Sequence, residues 1–145
     1  MTARSKARKR ALDILFESDV RGTDSAETLA DWMRRSDPPV PDYAREIVEG
    51  VNANRPQLDD AIRASARDWS LERMPPVDRT ILRMATYELL CRDDVPVAVV
   101  IDEAVELAKS LSTDDSPAFV NGVLARVKEQ RSAAAQAARD AAGED

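Results

Sequence analysis

Val97-Ala98-Val99-Val100-Ile101-Asp102-Glu103-Ala104-Val105-Glu106-Leu107-Ala108-Lys109-Ser110-Leu111 decides the fold class. Its first five residues favour a strand on local propensity. The continuation points the other way. Ala104, Val105, Ala108 and Leu111 keep helical spacing, and a lone strand would have no partner to pair with. The stretch therefore predicts a helix that starts just after Pro96, in an all-α protein.

Working upstream, Asp93-Asp94-Val95-Pro96 is a break, and Val77, Ile81, Met84, Ala85 and Leu89 form another helical stripe before it. Leu82, Leu90 and Cys91 widen that stripe, so this helix is expected at the centre, covered on more than one side. Met74-Pro75-Pro76 separates it from Leu58, Ala61, Ile62, Ala66 and Trp69. Asn54 and Pro56 read as a cap and an early helical proline, which divide that helix from the one marked by Tyr43, Ile47, Val48 and Val51. Asp37-Pro38-Pro39-Val40-Pro41 is a stiff connector. Before it, Leu29, Trp32 and Met33 define a helix opened by Asp24 and Glu27, which resemble a capping box. Ala7, Ala11, Leu12, Leu15 and Phe16 define the first helix, stopped by Gly22. Downstream, Ser116-Pro117 opens a last helix carrying Phe119, Val120, Val123, Leu124 and Val127. The expected total is seven helices, forming one domain over 1–131. Residues 132–145 are alanine-rich without a large apolar side chain, and a frayed or disordered tail is expected there. Both tryptophans are expected to anchor the core, and Cys91 to be a small buried hydrophobe.

Composition agrees. With 145 residues and 43% hydrophobic, the chain can bury one core. Four glycines and 4% aromatics are too few for a barrel or sandwich. There is no histidine, which excludes histidine-based triads and histidine-ligated zinc. The single cysteine forms no internal disulfide and suits a reducing, cytoplasmic setting. No apolar run reaches the roughly 20 residues of a membrane span, and no apolar segment near the start marks a secretory signal. Asp13, Glu17 and Asp19 count against a mitochondrial presequence.

Charge is unevenly placed. The net charge is −6, yet Arg4, Lys6, Arg8, Lys9 and Arg10 crowd the first ten residues without an acid among them. On a helix Arg4 and Arg8 are four apart, as are Lys6 and Arg10, so the stripe can follow a phosphate backbone. Exposed charges contribute little to folding, so removing Arg4 and Arg8 is expected to leave stability nearly unchanged. Asp102, Glu103 and Glu106 suggest a carboxylate metal site only superficially. Acids near a helix start favour the dipole, and no metal, cofactor or catalytic residue is expected. Gly122, inside an apolar helix, costs about 1 kcal/mol against alanine. Close approach of another helix or of a ligand accounts for it, packing being the expected reason.

Ala3-Arg4-Ser5-Lys6-Ala7-Arg8, Arg79-Thr80-Ile81-Leu82-Arg83-Met84-Ala85-Thr86-Tyr87-Glu88-Leu89, Asp94-Val95-Pro96, Ile101-Asp102-Glu103-Ala104-Val105-Glu106-Leu107-Ala108-Lys109 and Phe119-Val120-Asn121-Gly122-Val123-Leu124 follow one another in an order and spacing that resemble the NusB family of bacterial transcription antitermination factors. The resemblance spans residues 3 to about 128. It implies seven helices in two packed subbundles and a non-catalytic, cytoplasmic adaptor. Its implied partners are the boxA RNA of ribosomal RNA leader transcripts, the ribosomal protein NusE and the transcription elongation complex. By position it assigns RNA binding to Arg4, Lys6 and Arg8, with Lys9 and Arg10 adding charge and with Asp115 and Phe119 near the same surface. It assigns partner binding to Phe16, Glu72 and Asp78, all three expected outside the core. Ser5, Pro75-Pro76 and Pro117-Ala118 depart from the family pattern. Three other readings stay open: a protein-binding adaptor or homodimer that does not use its basic end, a methyltransferase-type RNA-binding domain and, more weakly, a helix-turn-helix regulator.

Overall fold

The computed structural model describes residues 2–67 and 69–143. Among them the chain forms six α-helices: α1 (Ala3–Arg21), α2 (Ser25–Arg35), α3 (Asp42–Ser65), α4 (Pro76–Cys91), α5 (Val97–Leu111) and α6 (Ser116–Gly143), with a short 3-10 turn at Leu71–Arg73. No strand occurs among the described residues. The ambiguous Val97–Ile101 run is helical. Val100, Ala104, Leu107 and Ala108 bury one stripe of α5 against α4 and α6, and that burial outweighs the local preference.

Local chemistry sets the helix ends. The Thr2 side chain accepts from the Ser5 N–H to open α1. Gly22 closes it at φ 68°, a left-handed geometry, with its N–H on the Ser18 carbonyl. Asp24 caps α2 by accepting from the Ala26 N–H.

The expected count of seven is corrected to six, because Asn54 and Pro56 do not divide a helix. α3 runs through them. Ile47, Val48, Val51, Leu58 and Ile62 form one uninterrupted buried stripe along it, packed on α1 and α4. The Asn54 side-chain amide, two residues before the proline, donates to the Gly50 carbonyl at 2.7 Å. Packing of the full stripe outweighs the roughly 3 kcal/mol that an interior proline costs.

α4 is central, as expected. It packs on α1, α3, α5 and α6, and Ile81, Leu82, Met84, Ala85 and Leu89 are buried on several of its faces. Gly50 lets α3 and α4 approach closely, since a Cβ there would overlap the Tyr87 ring. Three other expectations are corrected. Trp69 is 38% exposed and meets Phe119 edge-on at 5.1 Å; Trp32 is only partly buried. Cys91, the last residue of α4, is exposed where that helix leaves the core. Around Gly122 an added Cβ would meet nothing within 4 Å among the described residues, so their packing does not require the glycine. Beyond Arg131, α6 continues to Gly143 with every side chain exposed.

Candidate nucleic-acid interface

The five basic residues of α1 diverge once the helix is docked. Arg4 and Lys6 are exposed, and Lys9 and Arg10 are half-buried. Lys9 donates to both oxygens of Asp13 at 2.7 and 2.9 Å, the next turn of the same helix. Arg10 lies 5.7 Å from the Trp32 ring and donates to Ser36 Oγ and the Pro38 carbonyl.

Arg8 is the correction. It shares the inward face with Ser5, Ala11, Leu12 and Leu15 and is only 3% exposed. Its Nε and NH2 donate to the two carboxylate oxygens of Glu88 at 2.8 and 2.9 Å, and Tyr43 Oη donates to Glu88 Oε2 at 2.9 Å. Burial opposes the Arg8 charge, but the Glu88 carboxylate more than offsets it, and the guanidinium pKa is raised. The same burial, reinforced by Glu88, pushes the Tyr43 phenol up to about 12. Ser5 Oγ donates to Glu103 at 2.5 Å, so this face of α1 is fastened to α4 and α5.

Arg4 instead reaches out across Tyr43. Its guanidinium carbon stands 4.5 Å from the ring centroid, and its NH2 is 3.4 Å from Asp94 Oδ2. Arg92, just past α4, lies 5.2 Å from the same ring and binds both Asp94 oxygens at 3.0 and 3.1 Å. Arg92 holds the Asp94 carboxyl down to about 2. Sequence spacing does not bring Tyr43 and Arg92 into the site, because each joins Arg4 only through the packing of α1 against α3 and α4. The single local signal is the charge-dense Arg92-Asp93-Asp94 turn.

The remaining candidates lie at the other end of α4. Asp78 is expected on the surface but is 1% exposed. It accepts from Ser112 Oγ at 2.5 Å and Ser116 Oγ at 2.9 Å, fastening the turn between α5 and α6. Asp115 is exposed beside that turn, and Phe119 is half-buried against Trp69. Glu72 is exposed and pairs with Arg63 at 2.8 Å, a hydrogen bond that lowers its carboxyl pKa. Phe16 is half-buried on the last turns of α1, near the Asp19–Arg79 ion pair at 2.7 Å. Asp78 and Glu88 are ten residues apart on one helix, about 15 Å at the standard rise. The Arg4 cluster and the Asp115–Phe119 surface thus sit at opposite ends rather than in one patch.

Among the described residues no group of three or more His, Cys, Asp or Glu is placed to hold a metal, and no helix is long and apolar enough to cross a membrane.

The fold and site define a small all-α bundle with arginines poised on an aromatic ring at one end, and with exposed acids beside Trp69 and the half-buried Phe119 at the other. The NusB family model matches residues 5–129, and the chain belongs to that family. It is 56% identical over 134 residues to the transcription antitermination protein NusB of Streptomyces avermitilis, covering 89% of this chain and 93% of that one. To the Acidothermus cellulolyticus protein of the same name it is 59% identical over 128 residues, covering 88% of each. Among solved structures, T. maritima NusB superposes with a TM-score of 0.79 at 36% identity, over 88% of this chain and 92% of that one. A crystal structure of the antitermination factors NusB and NusE in complex with double-stranded RNA matches at 0.76 and 25% identity, over 88% and 96%.

Proposed function

We propose that the protein is a non-catalytic, cytoplasmic transcription antitermination factor. It holds the boxA RNA of ribosomal RNA leader transcripts together with NusE, within the transcription elongation complex. The observation that carries this is the likeness, over nearly the whole chain, to a NusB that is seen with both NusE and RNA. Residues 1–131 are the binding domain, with α1–α3 as one subbundle and α4–α6 as the other. Arg4 and Lys6 hold phosphates, with Lys9 and Arg10 extending the charge, and Asp115 and Phe119 form a second contact beyond α4. Phe16 and Glu72 face NusE. Arg8 and Asp78 act as buried supports of these surfaces.

Titration of a single-stranded boxA RNA, with and without NusE and across salt, tests this reading. Changing Arg4 and Lys6 to Ala removes about two phosphate contacts, so the log-affinity slope against log salt becomes shallower by about 1.4. Phe16→Asp weakens NusE binding with the melting curve intact. Unaltered affinity and slope in the double variant would place the RNA site elsewhere, or would mean that this protein does not bind RNA by itself, as in the adaptor or homodimer reading.

A further inference from the structure

The cluster around Tyr43 contains more than the basic helix needs. Two guanidinium groups from separate parts of the chain, Arg4 and Arg92, converge on one carboxylate while both lie against the same aromatic ring. Arg92 grips Asp94 with two parallel N–H donors, the fork geometry that arginine also uses on phosphate. Asp94 is half exposed, so on release its carboxylate returns to water at small cost. The platform beneath does not depend on Asp94. Tyr43 is held by its hydrogen bond to Glu88, and Arg92 keeps a second anchor through NH1 to Glu46 at 2.9 Å.

We propose that Asp94 stands in for an RNA phosphate: Arg4, Tyr43 and Arg92 form a phosphate subsite, and Asp94 is its internal competitor. The inference rests on the RNA-binding reading above and adds two residues to it, Arg92 as a contact and Asp94 as a gate. Free protein keeps the two arginines paired and ordered. A bound strand exchanges one anion for another rather than organising loose side chains, which lowers the ordering cost of binding. The competitor also weakens binding of any polyanion that cannot place a phosphate between the two guanidinium groups, so the gate sharpens selectivity.

The neighbouring residue supplies the control. Asp93 carries the same charge one position earlier, but its carboxylate pairs with Arg131 on α6 at 2.8 Å. Anisotropy titrations of the full chain with single-stranded boxA RNA therefore compare Asp94→Asn with Asp93→Asn. Asp94→Asn is expected to tighten binding about two- to five-fold, the range of an exposed ion pair, and Asp93→Asn clearly less. Arg92→Ala weakens binding and makes the salt slope shallower by about 0.7, and Arg92→Lys recovers part of the loss. Equal effects of the two aspartate changes, or no effect of Asp94→Asn, overturn the proposal even if Arg92→Ala lowers stability. If the Arg4 and Lys6 double variant still loses affinity in that case, the RNA-binding reading stands and only the gate fails. If the double variant also binds normally, both fail.

Discussion

Arg8→Ala separates an inward basic residue from an outward one on the same helix. In the native protein the Arg8 and Glu88 side chains are 4% and 2% exposed, so solvent screens their pairing little. Removing the arginine leaves the Glu88 carboxylate buried with Tyr43 as its remaining hydrogen-bonded neighbour. Breaking such a pair from one side costs about 3–5 kcal/mol. For a domain near this size that is a fall in Tm of about 10–15 °C. Arg4→Ala is the matched control. Its side chain is 47% exposed, and its removal is expected to change stability by about 0.5 kcal/mol or less. Thermal melts followed by far-ultraviolet dichroism, with urea titration alongside, measure both. Replacing the pair together by apolar residues of similar volume, Arg8→Met with Glu88→Leu, should recover much of the loss, since the cost lies in the orphaned charge. If Arg8→Ala melts with Arg4→Ala, the buried pair contributes nothing and α1 is not held as described.

Gly50→Ala drives a methyl group into the Tyr87 ring between α3 and α4, and overpacking of this kind is expected to cost about 1–3 kcal/mol in urea unfolding; a neutral change would mean that the two helices separate freely. Tyr43 provides a pH prediction. Its phenol is raised to about 12, so between about pH 10 and 12 the folded state keeps a proton that the unfolded chain has lost, and stability falls as pH rises through that window. Tyr43→Phe should show a shallower fall over the same range, and superimposable stability profiles would contradict the burial of the phenol beside Glu88.

Most of the helix pattern was legible in the sequence because apolar periodicity reports burial directly. Most of the stripes in α1, α4, α5 and α6 pack as their spacing predicts, but Leu111 at the end of α5 and Leu90 and Cys91 at the end of α4 are exposed, because the stripes outrun the core at the helix ends. Two kinds of information were not legible. One is the balance between a local breaker and the packing of a long stripe, which Pro56 loses inside α3. The other is the direction in which a charged side chain points. Arg8 falls on the stripe of Ala11, Leu12 and Leu15, but spacing does not show that a charge can be buried there, because its partner Glu88 comes from α4, 80 residues away. Asp78 is hidden for the same reason, since its serine partners lie 34 and 38 residues downstream. The basic character of the amino-terminal end was visible in composition alone. The assembly of Tyr43, Arg92 and Asp94 around it was not.

α1 is pinned near both ends, by Arg8 to Glu88 and by Asp19 to Arg79. It therefore behaves as a ruler rather than a tether. Arg4 and Phe16 are separated by twelve residues of continuous helix, about 18 Å, and each residue also sets a rotation of about 100°. On the proposed reading, a partner docked on Phe16 is held at one distance and one azimuth from RNA docked on Arg4. A one-residue insertion between them would change the spacing only slightly but would swing one docking face about a quarter-turn out of phase with the other. Length can vary little along this helix because phase cannot.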